Sequence, residues 1–318
     1  MPKKPFIEIH IPYKKTEDFV LESVRGCLEL DYPDFGILLL PDEETEFRIK
    51  DKRIRVIPTN GGNIPKKRNV GIINCSKKAK VVAYIDSDAY PNKDWLKNSL
   101  EYFEKPEVIG VGGPNLTPLN EKFKRRVAGN VMAQKIAYGA GAIRHKIEKT
   151  RYIDELPTCN LIIRSDFLKN NLFDETLATG EDAKMCNDII EKGGKVVYAS
   201  NVIVYHHRRE IFLPMMKQFY YYSYYKLILF KERKILSKYN LLPSIFLAFL
   251  VIGASLSLLS PVIFLVYKLS IALYFLTVFI STLSVIKYPI DIIPTIITVF
   301  LGHLAYGWGF IVSAIKNG

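Results

Sequence analysis

The sequence contains few cysteines, and they lie far apart. Only four of its 318 residues are cysteine, at Cys27, Cys75, Cys159 and Cys186. No two of them have the C-x-x-C spacing of zinc-binding motifs, and the set is too sparse for a disulfide framework. The sequence therefore argues against a small zinc-stabilised or disulfide-bonded protein. Isolated free thiols are typical of a domain that folds in the reducing cytosol.

The last quarter of the chain has almost no charge. Between positions 241 and 318 the formal charges are limited to Lys268, Lys287, Asp291 and Lys316. This stretch holds three apolar runs, over about 242–260, 262–286 and 290–314, each near the roughly 20 residues that a membrane-spanning helix needs. Three consecutive runs so long and so poor in charge disfavour a buried helical bundle of a soluble protein. They predict a transmembrane region over 241–318 with three spans.

The third apolar run is the least regular of the three. It is interrupted by Asp291, Pro294 and several glycines. With three spans, Gly318 lies outside the cell. If the third run lies partly in the interface or packs against the rest of the protein, two spans return the C-terminus to the cytosol.

The N-terminus lacks a signal peptide, because 1–5 is short and polar and leads directly into a strand pattern. We therefore expect the first 240 residues in the cytosol. The segment 208–240 carries eight lysines and arginines against two glutamates, and five tyrosines cluster within 220–225. Basic residues are enriched on cytoplasmic flanks of membrane spans, and tyrosine is enriched at the headgroup layer. The pattern predicts interfacial helices over 211–240 and a multi-pass protein of the cell membrane.

The chain has a formal net charge of +12 at pH 7. Such an excess can indicate nucleic-acid binding. Half of it lies in 208–240, however, directly before the first predicted span, where anionic lipid is the nearer partner. We expect membrane lipids, and no nucleic acid, among the partners.

Residues 1–205 alternate between strand and helix patterns. Strand patterns at 6–11, 35–40, 53–58 and 81–85 are interleaved with helical ones at 17–30 and 65–75. This alternation predicts an α/β fold with a mostly parallel sheet. Ligands of such sheets bind beyond the carboxyl ends of the strands. We expect one crevice to collect the polar strand ends at Pro12-Tyr13, Asp42-Glu43, Asn60-Gly61-Gly62-Asn63 and Asp86-Ser87-Asp88.

Two carboxylates follow the buried strand pattern at 81–85. Asp86 and Asp88 are separated by one residue, so in a strand their side chains point the same way. Two carboxylates side by side can hold one divalent cation. A polar turn after a strand is the alternative, because short D-x-D matches are common by chance.

An ordered set of short motifs runs through the first 225 residues. They are Ile9-His10-Ile11-Pro12, Leu30-Asp31-Tyr32-Pro33-Asp34-Phe35, Gly61-Gly62 with Arg68-Asn69-Val70-Gly71-Ile72, Asp86-Ser87-Asp88, Pro157-Thr158-Cys159-Asn160-Leu161, Phe173-Asp174-Glu175, Gly180-Glu181-Asp182 and Val204-Tyr205-His206-His207-Arg208. In this order and spacing they resemble a family 2 inverting glycosyltransferase of the Rossmann-like GT-A fold. The trailing hydrophobic region, with 303–307, resembles that of membrane-bound members. The resemblance implies a catalytic domain over 1–210.

The resemblance implies a nucleotide-sugar donor and a place for its base. Asp42 and Glu43 follow the second strand, where such enzymes hold the nucleobase, and a carboxylate there can accept the imide N–H of a uracil. The usual pattern has two acids at this point, whereas Pro41 replaces the first of them here. Two solvated acids in a charged loop remain the alternative. Pro12, at the end of the first strand, is a further candidate for contact with the donor nucleotide.

The resemblance also implies contacts with the donor's diphosphate and its cation. Arg68 matches the family's helix opening, whereas a solvated basic face is the simpler interpretation of Lys66 and Lys67. Asp86 and Asp88 are expected to hold Mg²⁺ or Mn²⁺, which suit carboxylate and phosphate oxygens. The resemblance implies that Asp88 is the direct ligand, with Asp86 contacting the donor's ribose or a metal-bound water. His206 or His207 supplies a further ligand. Strand alternation places His206 on the face of Val202 and Val204 and His207 on the other, which slightly favours His206. Arg208 is expected to steady the leaving diphosphate.

Inverting transfer needs a base on the face opposite the leaving group. Asp182 matches the family's acid that takes the proton of the acceptor hydroxyl, and Glu181 would position the acceptor or neighbouring groups. Both residues open a helical pattern, so helix N-terminal acids stabilised by the helix dipole are the alternative.

The resemblance implies metal-dependent, inverting transfer of one sugar from a nucleotide-sugar, UDP-linked by expectation, to a hydroxyl of a lipid-linked or glycan acceptor near the membrane. Processive family members carry Q-x-x-R-W, but the corresponding region here reads Gln218-Phe219-Tyr220-Tyr221-Tyr222, which favours single-sugar transfer. The alternatives are a polyprenyl-phosphate sugar synthase and a catalytically inactive, nucleotide-binding membrane protein. In the synthase the acceptor is already an anion and needs no base.

Overall fold

The computed structural model describes residues 4–177, 179–233 and 238–317. The chain divides into two compact units. The first comprises Met1–Pro118 and Lys146–His207, and the second comprises Leu119–His145 and Arg208–Gly318. The segment 119–145 lies within the catalytic domain predicted from the sequence, over 1–210, whereas in the structure it groups with the C-terminal helices.

The first unit is built on two β-sheets. Its strands are β1 (Ile7–Pro12), β2 (Phe35–Leu40), β3 (Ile54–Val56), β4 (Val81–Tyr84), β5 (Ala89–Pro91), β6 (Val108–Gly112), β7 (Asn115–Leu116), β8 (Arg151–Tyr152), β9 (Leu161–Arg164), β10 (Lys195–Tyr198) and β11 (Val204–His206). The larger sheet has the order β3-β2-β1-β4-β9-β6-β10-β8, and the smaller one has the order β5-β11-β7.

The larger sheet is mixed, with parallel pairs in the majority. Strands β3, β2, β1 and β4 run parallel, as do β6 and β10, whereas β9 runs antiparallel to β4 and β6, and β8 to β10. Every residue of β1, β2 and β4 is buried, as expected of strands covered by helices on both faces. The predicted α/β fold is therefore confirmed, and the strand patterns at 6–11, 35–40 and 81–85 were right to within a residue.

The helices follow the strands in the expected alternation. They are α1 (Asp18–Leu28), α2 (Ile64–Ile73), α3 (Trp95–Tyr102), α4 (Phe123–Met132), α5 (Lys135–Tyr138), α6 (Ser165–Lys169), α7 (Glu181–Glu191), α8 (Leu213–Arg233), α9 (Leu242–Leu256), α10 (Pro261–Leu283) and α11 (Ile292–Asn317). Of these, α4, α5 and α8 to α11 belong to the second unit.

The start of α2 is determined by a tight turn and a side-chain cap. Asn60, Gly61 and Gly62 all have positive φ angles (54°, 71° and 106°), so the chain reverses sharply there. The side chain of Asn63 then accepts a hydrogen bond from the backbone N–H of Lys66 (3.1 Å), which satisfies one of the free donors of the first turn. The turn and the cap together direct the first turn of α2 toward the ends of β1 and β2.

In the second unit, the segment 119–145 packs on the C-terminal helices. The apolar face of α4, with Val127 and Val131, joins a buried cluster that includes Phe219 of α8, Val278 of α10 and Val299 of α11. An amphipathic helix buries its apolar face wherever a matching surface exists. The hydrophobic face of α4 is therefore what places this segment with the C-terminal helices.

An ion pair between a buried carboxylate and a partly exposed arginine joins the same segment to the start of α11. Asp291 is fully buried, and its two carboxylate oxygens accept hydrogen bonds from Nη2 and Nε of Arg126 (2.8 and 2.9 Å). The Asn130 amide donates a third bond (3.2 Å), and the guanidinium lies 4.6 Å from the ring centre of Tyr288.

We expect Asp291→Ala to lower the free energy of unfolding of the protein in detergent by about 2–3 kcal/mol, because the partly buried Arg126 guanidinium loses the charged acceptor of two hydrogen bonds. The measurement is chemical or thermal unfolding followed by circular dichroism. Glu210→Ala is the matched control, since it removes the exposed pair with Lys124 (3.5 Å) and is expected to cost less than about 1 kcal/mol. Equal losses from both variants would contradict the prediction.

By length and composition, two described helical segments could cross a membrane. They are Pro261–Leu283 and Pro289–Asn317, which overlap the second and third predicted spans. Large apolar side chains on α10, such as Val262 (70% exposed) and Leu273 (64%), face outward. Such a surface is typical of contact with lipid. These helices weakly support membrane association. The first predicted span contains α9, which has only 15 residues, so the predicted count of three is not confirmed.

Candidate active site

The carboxyl ends of three neighbouring strands meet at one edge of the larger sheet. Strand β1 pairs in parallel with β2 on one side and with β4 on the other. Parallel strands in register place the residues that follow them side by side. Pro12 ends β1, Asp42 follows β2, and Asp86 follows β4. This edge is the one where ligands of open α/β sheets bind.

A group of three ligand-type side chains lies at this edge. Carboxylate oxygens of Asp86 and Asp88 and a ring nitrogen of His206 all lie within 4.8 Å of one another. Nε2 of His206 is 3.1 Å from Oδ1 of Asp88. The smaller sheet brings the histidine there, because β5 begins directly after Asp88 and pairs antiparallel with β11, with Ala89 opposite His206.

The charges of this group stabilise one another. Burial by itself would lower the pKa of His206, but the Asp88 carboxylate raises that pKa well above its usual value. Burial raises the pKa of Asp88, but the neighbouring His206 outweighs it and brings the pKa below its usual value. Burial raises the pKa of Asp86, although Arg68 opposes that shift. The fit to a cation rests on geometry, because two carboxylates and an imidazole nitrogen converge within 4.8 Å and this donor set suits Mg²⁺ or Mn²⁺.

His207 lies outside this group. Its Nε2 is 2.9 Å from Oε2 of Glu22, and its ring packs 4.6 Å from that of Phe19 and 6.0 Å from that of Tyr90. Of the two histidines that the sequence offered, the structure brings only His206 to the aspartates. Alternation along β11 is the reason, since consecutive side chains of a strand point to opposite faces.

Arg68 is engaged by two carboxylates. The residue is 3% exposed, its Nη1 donates to Oε1 of Glu181 (2.5 Å), and its Nη2 lies 3.5 Å from Oδ1 of Asp86. The guanidinium also lies 5.4 Å from the ring centre of Phe173. The sequence suggested that this arginine contacts the donor. In the structure Arg68 joins the aspartate after β4 to Glu181 at the start of α7, and its contact with a donor stays a prediction.

The acidic pair sits in the first turn of α7. The preceding Gly180 has a φ of 87°, a left-handed conformation that favours glycine. Oδ1 of Asp182 accepts a hydrogen bond from the backbone N–H of Ala183 (2.8 Å), and Asp182 remains half-buried. Both acids are therefore helix N-terminal residues, and the ion pair of Glu181 with Arg68 links this turn to Asp86.

Lys67 is fully buried, contrary to its expected place on a solvated basic face. Its Nζ forms an ion pair with Oδ1 of Asp42 and donates a hydrogen bond to the carbonyl oxygen of Tyr13 (2.7 Å). Lys67 thus connects the ends of β1 and β2. Glu43, the other candidate at this position, is exposed.

Two asparagines that carried no predicted role support the site. Asn69 donates to the carbonyl oxygen of Phe173 (2.9 Å) and accepts from its N–H (2.8 Å). Asn160 is fully buried, accepts from the indole N–H of Trp95 (2.8 Å) and donates to the carbonyl oxygen of Val202 (2.8 Å). Both asparagines lie in motifs that were recognised in the sequence. Trp95 is 65 positions from Asn160, and Phe173 is 104 positions from Asn69, so local sequence patterns could not predict these contacts.

A second group of ligand-type side chains lies near the start of β1. Oε2 of Glu8 is 3.1 Å from Nε2 of His10 and accepts a hydrogen bond from the N–H of Ser76 (3.2 Å), with Cys75 close by. Burial raises the pKa of Glu8, but these donors outweigh it and lower the pKa overall. The protein itself satisfies this buried carboxylate, so the group is a structural network.

The family model described as Glycosyl transferase family 2 matches residues 8–169, about half of the chain. The chain belongs to this family. The site residues Pro12, Asp42, Arg68, Asp86 and Asp88 lie inside the matched region, whereas α7 and His206 follow it.

Relatives of this glycosyltransferase are named for the same chemistry. It is 28% identical over 135 residues to the pre-mycofactocin glycosyltransferase of Mycobacterium tuberculosis, covering 41% of this chain and 27% of that protein. It is 23% identical over 224 residues to a dolichyl N-acetyl-α-D-glucosaminyl phosphate 3-β-D-2,3-diacetamido-2,3-dideoxy-β-D-glucuronosyltransferase of Methanococcus voltae, covering 62% of this chain and 65% of that one. The chain thus spans about a quarter to two thirds of these relatives.

A solved structure shares the fold over almost the whole chain. It is a mannosyltransferase from Pyrobaculum calidifontis in complex with GDP-Man and Mn²⁺, with a TM-score of 0.54 and 14% identity, covering 99% of this chain and 87% of that one. At this identity the likeness establishes the GT-A fold. The Mn²⁺ in that complex indicates that related glycosyltransferases use divalent metal ions.

The remaining candidate of the glycosyltransferase is Arg208. It is the first residue of the C-terminal segment of the second unit, and it is 4% exposed. Its contact with a leaving diphosphate stays a prediction.

Proposed function

We propose that the protein transfers one sugar, with inversion, from a UDP-sugar to a hydroxyl of a lipid-linked acceptor at the membrane, with the help of Mg²⁺ or Mn²⁺. One observation carries the proposal. Arg68 forms ion pairs with Asp86 of the metal-ligand group and with Glu181, whose neighbour in the first turn of α7 is the candidate base Asp182, so a cation site and a candidate base lie in one constellation. Transfer to a hydroxyl acceptor uses a base for the hydroxyl proton and positive charge at the leaving diphosphate, and this constellation offers groups for both.

In this proposal Asp86, Asp88 and His206 hold the cation. Bound there, the cation neutralises the negative charge that develops on the leaving nucleoside diphosphate. The three side chains fit a hard cation because they offer oxygen and imidazole ligands, and because their ligand atoms already converge. The donor's base is held at Asp42, next to Pro12, at the ends of β2 and β1. Arg208 steadies the diphosphate.

Asp182 is the proposed base, and it takes the proton from the acceptor hydroxyl as the oxygen attacks the anomeric carbon. Glu181 is the neighbouring acid, and its bond with Arg68 (2.5 Å) restrains it. We assign the base to Asp182 because the Glu181 carboxylate is committed to the Arg68 guanidinium, whereas Asp182 follows it in the same first turn of α7 and is half-buried.

A membrane-proximal acceptor follows from the C-terminal helices. An enzyme with candidate spans such as α10 works in the plane of its substrate, which suits a lipid-linked acceptor. The name of the Methanococcus voltae relative also describes a dolichyl-linked acceptor. We place the catalytic unit in the cytoplasm, because the basic residues of 208–240 precede the first apolar helix.

The experiment that tests the function is a screen of nucleotide-sugars with the detergent-solubilised full chain. Release of nucleoside diphosphate is measured with Mg²⁺, with Mn²⁺ and with chelator. We expect metal-dependent release from a UDP-sugar that increases when a lipid-linked acceptor is added. Nucleotide binding without turnover of any donor would favour the inactive binding protein instead.

The number of spans gives a separate prediction. Helix α9 is about 22 Å long, too short for a hydrocarbon core of about 30 Å, so we expect only α10 and α11 to cross. A cysteine placed at Asn317 of a variant lacking the native cysteines should then react with an impermeant maleimide from the cytoplasmic side of sealed vesicles. Labelling from the outside alone would restore the three-span arrangement and leave the catalytic proposal untouched.

A further inference from the structure

The two oxygens of the Asp42 carboxylate have different surroundings. Oδ1 is buried and forms the ion pair with Nζ of Lys67. The side chain as a whole is nevertheless 28% exposed. The exposed part of the carboxylate is therefore the side of Oδ2. At the end of β2, Asp42 therefore presents one oxygen to solvent, while Lys67 holds the other.

Lys67 is held in place from several directions. It has no exposed surface, and the Tyr13 carbonyl oxygen takes a second hydrogen bond from Nζ (2.7 Å). Its helix is capped by Asn63 and linked to Phe173 through Asn69. An ammonium group that is buried, paired and hydrogen-bonded has no alternative partner within reach, because leaving this position would uncover a buried charge.

The backbone of Asp42 is fixed as well. Its carbonyl oxygen accepts a hydrogen bond from the N–H of Gly61 (3.0 Å). The carbonyl oxygen of Pro41 accepts from both the N–H (2.8 Å) and the hydroxyl (2.7 Å) of Thr59. With its main chain and one oxygen held, the carboxylate has little freedom to turn its second oxygen toward a ligand.

Nucleobases differ in the number of donors that they offer to a carboxylate. Uracil has one imide N–H between two carbonyl groups, so it needs a single acceptor oxygen. Guanine has an N–H and an amino group side by side, which match both oxygens of a free carboxylate. We infer that Lys67, by occupying one oxygen of Asp42, selects a uracil-bearing donor over a guanine-bearing one. This inference rests on the proposed function, in which Asp42 contacts the base.

The test compares the affinities of UDP and GDP for the full-length protein in detergent, by calorimetry in the presence of Mn²⁺. We expect the wild-type protein to bind UDP at least about tenfold more tightly than GDP, because guanine's second donor is left without an acceptor. In Lys67→Met the carboxylate is released and both of its oxygens become available. The UDP to GDP preference should then fall by about tenfold or more.

Lys66→Met is the matched control. It removes the same charge from the adjacent position of α2, where the side chain is partly exposed, and the preference should stay unchanged. If the preference survives in a folded Lys67→Met protein, or falls equally in both variants, the inference is overturned.

Asp42→Asn provides a second test that keeps the buried lysine. With Lys67 holding the carbonyl oxygen of the new amide, its NH₂ group faces the ligand and donates instead of accepting. Cytosine offers an acceptor at N3 where uracil has its imide N–H, so the preference should shift from UDP toward CDP. A variant that keeps its preference for UDP over CDP contradicts the role of Lys67.

The outcomes separate this inference from the proposed function. A wild-type protein that binds GDP as tightly as UDP, and turns over a GDP-sugar with metal, overturns the inference and leaves the transferase proposal in place. A protein that binds neither nucleotide overturns both.

Discussion

Asp182→Asn is expected to reduce kcat with a hydroxyl acceptor by about two to four orders of magnitude. An amide cannot take the proton of the attacking hydroxyl, although it keeps the size of the side chain and its hydrogen bond to the N–H of Ala183 (2.8 Å). The KM for the donor should change little, because the donor's phosphates are held elsewhere. Steady-state release of nucleoside diphosphate over a range of donor concentrations measures both quantities.

Asp188→Asn is the matched control for this variant. Asp188 lies on the same helix, α7, and pairs with Lys184 outside the site, so its variant should keep wild-type kcat. Full turnover of Asp182→Asn with a hydroxyl acceptor would show that the base is a different group. Turnover with a polyprenyl phosphate alone, insensitive to the substitution, would identify the polyprenyl-phosphate sugar synthase, since a phosphate acceptor arrives already ionised.

Removal of the cation or of one of its ligands should abolish turnover. We expect chelator to eliminate nucleoside diphosphate release, and Asp88→Ala to weaken Mn²⁺ binding by at least about a hundredfold and kcat by a similar factor or more. The physical reason is that the charge of the leaving diphosphate is then left without compensation. Binding of Mn²⁺ is measured by electron paramagnetic resonance, independently of activity.

The two adjacent histidines form the control pair for this prediction. His206→Gln should weaken Mn²⁺ binding at least about tenfold, because the ring nitrogen of His206 lies within 4.8 Å of the carboxylate oxygens. His207→Gln should leave Mn²⁺ binding unchanged, because the His207 ring contacts Glu22 and Phe19 instead. If the two variants lose affinity equally, or if only His207→Gln does, the ligand set is wrong.

Much of the catalytic fold could be predicted from local patterns. Buried strands such as β1, β2 and β4 are continuous apolar runs, and the polar residues at their ends mark where the strands stop. The carboxyl ends of parallel strands lie at one edge of a sheet. The alternation of strand and helix patterns therefore also predicted that Asp42 and Asp86 lie at the same edge. The antiparallel position of β9 between β4 and β6 carries no such local signal.

The membership of 119–145 in the second unit could not be predicted in this way. Its packing depends on a match between the apolar face of α4 and side chains more than 80 positions away, such as Phe219 and Val299. The third apolar run was likewise the least regular of the three spans predicted from the sequence. In the structure that run forms the longest of the described helices, and its charged residue, Asp291, is neutralised by Arg126. From the sequence alone, Asp291 weakens the apolar run as a candidate membrane span, because its partner Arg126 lies 165 positions away.

The sequence by itself determined the kinds of groups in this protein: the apolar strands, the D-x-D pair, the acidic helix start and the uncharged C-terminal region. Only the tertiary structure decided what each polar group contacts. It buried Lys67 against Asp42, directed Arg68 to Glu181 and Asp86, and divided the two histidines between Asp88 and Glu22. The physical reason is that strand and helix periodicity act over a few residues, whereas a buried charge must find its partner wherever the fold brings one.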